Sequence, residues 1–130
     1  MKRQTYYNTP REQLANVFDM SKPVVVNCVG AVDDTKTITN RNVRNDYYLM
    51  YFLSGNMDIE IDGKKRLIKE GDVLIMKPGT RYVYSITKDS GLGYLWVHFT
   101  GYEAETLLKK YSIPTNTILS CGQIKSMIYR

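Results

Sequence analysis

The chain carries one histidine, His98, and that single count narrows its chemistry. A catalytic metal is usually held by three protein ligands, most often rich in histidine. His98 with scattered carboxylates makes a poor set, so no metal and no cofactor are expected. No nucleophile–base pair, phosphate loop or paired-carboxylate motif stands out, so the chain does not read as an enzyme. What it does offer is aromatic: 11 tyrosines and one tryptophan, Trp96. Rings with polar tips stack on the apolar face of a small molecule, while hydroxyls and an indole N–H fix its direction. That is chemistry for holding a molecule rather than for breaking one.

Strand parity aims these rings. Tyr82, Tyr84 and Ile86 share one face, as do Tyr94, Trp96 and His98; Val83, Leu95, Val97 and Phe99 share the other. If the aliphatic set packs against helices or a second sheet, the aromatic set points into a barrel. The same parity fits large core fillers with satisfied hydroxyls, and His98 fits a neutral, hydrogen-bonded core residue. Both readings stay open at this point.

The elements follow from periodicity and turn chemistry. Thr9-Pro10-Arg11-Glu12 reads as a helix start, with Leu14, Val17 and Phe18 at helical spacing and an end near Ser21-Lys22-Pro23. Strands take over from Val24. Tyr47 to Leu53 is bulky on both faces, as in a strand covered on both sides. Met57, Ile59 and Ile61 alternate with Asp58, Glu60 and Asp62, a half-buried strand. Asp62-Gly63, Gly71-Asp72 and Pro78-Gly79 mark turns. Arg81–Ile86 and Leu92–Phe99 are expected to form a hairpin across Lys88-Asp89-Ser90-Gly91. Seven or eight short, closely spaced strands point to a β-sandwich or barrel. After Thr100-Gly101 the period becomes helical through Ala104, Leu107, Leu108 and Tyr111, and Pro114 closes that segment. Gln123 to Arg130 reads as another helix with Ile124, Met127 and Ile128 on one side.

At 130 residues the chain suffices for one domain, and 43% hydrophobic with 24% charged residues is an ordinary globular balance. No apolar run approaches a membrane span, and Met1-Lys2-Arg3-Gln4-Thr5 has no secretory core behind it, so a cytoplasmic protein is expected. Cys28 and Cys121 are expected as free thiols. The net charge is +5, but only Lys64-Lys65-Arg66 is compact and the remainder is scattered. That fits a solvated surface better than a nucleic-acid face.

A family resemblance rests on three segments. Gly71-Asp72-Val73-Leu74-Ile75-Met76-Lys77-Pro78-Gly79-Thr80-Arg81-Tyr82 resembles the second motif of cupins. Arg41 followed by Asp46-Tyr47-Tyr48-Leu49-Met50-Tyr51-Phe52-Leu53-Ser54-Gly55 resembles the conserved arginine and first core strand of AraC-type regulators, in their N-terminal effector-binding domain. Trp96-Val97-His98-Phe99-Thr100-Gly101 resembles their closing strand. The likeness runs roughly from residue 24 to 101. It implies a mainly β fold: a double-stranded β-helix, or cupin-like jelly-roll barrel, with a short N-terminal helix and C-terminal helices. It implies an arm and helix over 1–23, a barrel over 24–101, and helices over 102–130 that lead to a dimerisation and DNA-binding region absent from this chain.

The implied function is sensing of a small polar effector, with a sugar as the leading class, and homodimerisation through C-terminal helices. DNA would be met only through a separate helix-turn-helix domain, and no membrane is implied. In the arabinose-responsive member the sugar contacts fall at positions similar to Arg41, Tyr84, Tyr94 and Trp96 here. Tyr94 stands where that protein has a histidine. The arginine match needs a one-residue gap, so Arg44 is the alternative to Arg41. Cupin enzymes place a histidine where this chain has Tyr82. The rival functions are a metal-dependent cupin enzyme and a free-standing carbohydrate-binding module.

Overall fold

The computed structural model describes residues 4–7 and 16–121. Eight strands fill the stretch after Val24 where strands are expected: β2 (Val25–Asp33), β3 (Ile38–Val43), β4 (Tyr47–Ser54), β5 (Asn56–Ile61), β6 (Lys64–Lys69), β7 (Asp72–Met76), β8 (Arg81–Ile86) and β9 (Gly93–Thr100); a further strand, β1 (Gln4–Tyr7), precedes them in the arm, where none was expected. A short helix, α1 (Ala104–Lys110), and a last strand, β10 (Ile118–Ser120), follow. The strands make two antiparallel sheets, one in the order β1-β2-β9-β4-β7-β10 and the other β3-β8-β5-β6.

The β5–β6 hairpin shows local chemistry setting register. Ile61 pairs with Lys64, which leaves Asp62 and Gly63 as a two-residue loop, and both have positive φ, 47° and 83°. A loop of this kind matches the right-handed twist of its strands and favours Asp-Gly.

The core lies between the sheets. Met50, Phe52, Ile59, Ile68, Leu74 and Met76 are buried there among the aromatic residues of β4, β8 and β9. A second, smaller cluster forms outside the six-stranded sheet, where Ala104, Leu108 and Ile113 cover Tyr47, Leu49, Ile75 and Phe99. Thus β4 is covered on both faces at its start, as its sequence predicts. Cys28 is buried and Cys121 half-buried, and both thiols are free. Burial pushes the Cys28 thiol up to about 11.

Three expectations change. β8 and β9 are not a hairpin: β8 pairs with β3 and β5, whereas β9 pairs with β2 and β4. The segment between them carries the chain from one sheet to the other. Their aromatic faces still meet, but across the barrel rather than along a ladder. β10 was not foreseen; it pairs Ile118 with Leu74 at the sheet edge.

The third change is at the N-terminal side. Most of the helix expected there lies outside the described residues, as does the one over 123–130. The part that is described, Asn16 to Pro23, runs as irregular chain. Its polar groups bond elsewhere. Asn45 N donates to Asn16 Oδ1 (2.7 Å) and Asp19 N to Thr100 Oγ1 (3.2 Å). Tyr102 N and Glu103 N donate to the carbonyls of Lys22 and Pro23. The approach is so close that a Cβ on Gly101 would lie 2.2 Å from Pro23 O. This strap is tied to Asn27, Asn45 and the segment from Thr100 to Glu103.

Candidate functional site inside the barrel

The interior has a hydroxyl end and a charged end. Tyr84 projects inward from β8, and Tyr48 and Tyr94 project from β4 and β9 in the opposite sheet. All three are buried. Their hydroxyls converge: Tyr48 to Tyr84 is 2.9 Å, Tyr94 to Tyr84 is 3.2 Å and Tyr48 to Tyr94 is 3.5 Å. Asn40 Nδ2 on β3 donates to Tyr84 Oη at 2.9 Å. A hydroxyl has one hydrogen to give and two lone pairs. Tyr84 therefore accepts from Asn40 and Tyr94 and gives its hydrogen to Tyr48, which closes a ring of donors through Tyr94. Burial, reinforced by the neighbouring hydroxyls, holds the Tyr48 phenol well above its ordinary value, so it is a neutral donor.

The charged end centres on Asp46, which lies just ahead of β4 and is buried. Arg44 grips it with a fork, Nε to Oδ1 at 2.8 Å and Nη2 to Oδ2 at 3.0 Å. Asn27 on β2 donates through Nδ2 to Asp46 Oδ2 (2.8 Å) and also to Val17 O in the strap (3.0 Å). His98 Nδ1 lies 3.5 Å from Asp46 Oδ1, at the limit of a hydrogen bond, and has no better partner. Burial raises the Asp46 carboxyl, but its contacts with His98, Arg44 and Asn27 outweigh that and leave it below the usual range. For His98 burial dominates and pulls the imidazole below its ordinary value, with Asp46 opposing and Arg44 assisting. At neutral pH His98 is therefore uncharged.

Aromatic contacts join the ends. The His98 ring lies 4.2 Å from Tyr48 and 5.1 Å from Trp96, and Tyr82 lies 5.6 Å from Tyr48 and 5.8 Å from Tyr84. Phe52 stacks on Tyr94 at 4.9 Å. The rings pack on one another, while the Tyr48, Tyr84 and Tyr94 hydroxyls converge.

Of the residues singled out from sequence, Tyr84, Tyr94, Trp96, His98 and Arg44 come together inside the barrel. Arg41 does not join them. It pairs in register with Val83, which faces out, and lies exposed in a groove of about 560 Å³ beside Val43, Glu60, Asp62 and Arg81. Tyr48, Asn40, Asp46 and Asn27 were not singled out. Tyr48 shares parity with the apolar Met50 and Phe52, which would have placed it inside. Asn27 and Asp46 are 19 residues apart and carry no local signal of their meeting. Among the described residues, no three of His, Cys, Asp and Glu gather as a metal-ligand set. None of the described helices is long and apolar enough to cross a membrane.

Solved structures resemble this arrangement in fold. YhaK from Escherichia coli matches with a TM-score of 0.55 at 16% identity, over 77% of this chain and 45% of that one. The conserved SPY1581 protein of unknown function from Streptococcus pyogenes matches with a TM-score of 0.50 at 17% identity, over 76% of this chain and 75% of that one. A cupin superfamily protein from Desulfitobacterium hafniense gives 0.49 at 12% identity, covering 76% and 78%. This chain thus spans under half the length of the first and three quarters of the second. No curated protein matches it in sequence. A family model described as AraC-like ligand binding domain matches residues 25–126.

Proposed function

Because this chain belongs to the family of AraC-like ligand-binding domains, we propose that its barrel is the effector sensor of a transcription regulator. The effector is a small, neutral, hydroxyl-bearing molecule, with a sugar as the leading class. Tyr84, Tyr94 and Tyr48 supply hydroxyls that both give and accept, Trp96 supplies a face, and Arg44 and His98 stand at the polar rim. The observation that carries this reading is the ring of three tyrosine hydroxyls with Asn40, buried between the sheets. Its bonds are internal, so an incoming polyol exchanges one hydroxyl partner for another with little net desolvation cost. The interior charges on Arg44 and Asp46 already cancel, which favours a neutral ligand over an acid.

Occupancy must favour one arrangement of the domain over another, because affinity alone shifts no equilibrium. In this reading the strap and the helices after the barrel respond, a homodimer forms through the C-terminal helices, and a separate helix-turn-helix domain meets DNA. The barrel itself does no chemistry. A thermal-shift screen of sugars tests the proposal. A true effector at 100 times its dissociation constant adds about 2.7 kcal/mol of stability. A screen in which no neutral polyol stabilises the protein, but an organic acid does, contradicts it.

A further inference from the structure

A cavity lies on the opposite side of the six-stranded sheet, beside α1, and shares no lining residue with the barrel interior. Tyr47 opens β4 with its side chain pointing outward, and one ring face stacks on Phe99 at 5.1 Å and 9°. Tyr47 is 8% exposed. Its hydroxyl has no hydrogen-bond partner among the described residues and is not sealed from solvent. It borders a cavity of about 310 Å³ that Lys77, Glu105, Leu108, Lys109 and Ile113 also line. Glu105 and Lys109 line the same cavity and bear electrostatically on the Tyr47 phenol. Water reaches this hydroxyl, so a ligand in the cavity can displace that water and take its hydrogen bond.

The charges around the cavity do not balance. Lys109 and Glu105 pair at 2.9 Å and cancel. Lys77 acts on Glu105 electrostatically but makes no ion pair with it. The lining therefore holds one uncompensated positive charge above an apolar floor of Leu108 and Ile113. We infer that this cavity is a second ligand site, for a small monocarboxylate with an apolar body. The body lies on Leu108 and Ile113 and the free side of the Tyr47 ring. One carboxylate oxygen accepts from the Tyr47 O–H and the other from Lys77 Nζ. A neutral ligand leaves Lys77 unmatched, and a dianion meets Glu105. A ligand here touches both α1 and the start of β4, and so links the helix to the sheet.

Phenylacetate titrated into the 130-residue chain tests this, read by the methyl NMR signals of Leu108 and Ile113, with phenylacetamide as the neutral control. The acid gives saturable shifts of those signals, and the amide binds about tenfold more weakly because it lacks the charge. Lys77→Met on the exposed rim loses a similar factor. Tyr47→Phe, which keeps the stacked ring, weakens the acid several-fold and the amide by less, since its carbonyl accepts a weaker bond. Equal binding of acid and amide, full affinity in Lys77→Met, absence of saturation, or shifts confined to the barrel interior would each overturn the inference.

Discussion

At one end of the barrel interior three tyrosine hydroxyls bond to one another; at the other a carboxylate is held by a guanidinium, an amide and the edge of an imidazole. Both ends satisfy buried polar groups, but they differ in what it costs to disturb them. A neutral hydrogen bond contributes about 1 kcal/mol net, and any hydroxyl can replace another. A buried ion pair, once one partner is removed, leaves a charge that costs about 3–5 kcal/mol. The hydroxyl end is therefore suited to exchange with a ligand. The charged end is suited to fix structure, and through Asn27 it fixes the strap at Val17.

The sharpest way to break this contrast is Asp46→Ala. It takes both carboxylate oxygens away from Arg44, of which only 16% of the side chain is exposed, and frees Asn27 from one of its two acceptors. Unfolding by denaturant should show a loss of about 3–5 kcal/mol. A loss below about 1 kcal/mol would mean that the fork is surface-like and the contrast false. Next in size is Asn27→Ala. It removes donors from both Asp46 Oδ2 and Val17 O and should cost about 1–3 kcal/mol. It should also raise amide exchange or proteolysis in residues 16–23, which loss of packing elsewhere would not do.

The pH dependence is smaller and has a definite sign. The folded-state value of His98 is depressed, so below about 6.5 the unfolded chain takes up a proton that the folded chain refuses. Stability is then fully present above that pH and falls as pH drops below it, by at most about 1.4 kcal/mol per pH unit for one group. Asp46, also depressed, adds a second loss as pH falls through the carboxylate range near 3.8 and below. Melting temperature followed from pH 7.5 to 5, as an assay condition set by this linkage, should decline, and His98→Gln should flatten the decline. An unchanged slope in that variant would remove His98 from the account.

The smallest effect on stability belongs to the hydroxyl end. Tyr84→Phe keeps the ring and deletes one member of the hydroxyl ring. It should cost about 1 kcal/mol or less, because Tyr48 and Tyr94 remain within reach of each other at 3.5 Å.

How much of this was legible in the sequence differs between the same two ends. Parity along Arg81–Ile86 and Gly93–Thr100 was enough to put Tyr84, Tyr94, Trp96 and His98 inside, because the period of a strand is fixed by its backbone. Parity says which face a residue occupies but not which strand lies beside it. That is why the expected β8–β9 hairpin proved to be a crossing between sheets. Arg41 and Arg44 illustrate the same limit. They are three residues apart and fall on opposite sides, with Arg41 on the outer face of β3 and Arg44 past its end, turned onto Asp46. Nothing in the local pattern decides between them without β3's register to Val83. The Asp46 hub was invisible for another reason: Asn27, Arg44 and His98 come from three separate parts of the chain and meet only in the folded barrel.

Trp96 offers the most direct measurement of the central claim. It is buried beside His98 inside the barrel and is the sole tryptophan, so its emission reports the interior alone. The measurement is a fluorescence titration with the polyol that scores highest in a thermal-shift screen, on wild type, Tyr84→Phe and Trp96→Phe, with calorimetry for the last. A saturable change in Trp96 emission is expected. Binding should be about tenfold weaker in Tyr84→Phe, against a stability change near 1 kcal/mol, and weaker in Trp96→Phe with the fold retained. Unchanged affinity in both variants, with a lowered melting temperature in Trp96→Phe, would make these residues core fillers and contradict the account.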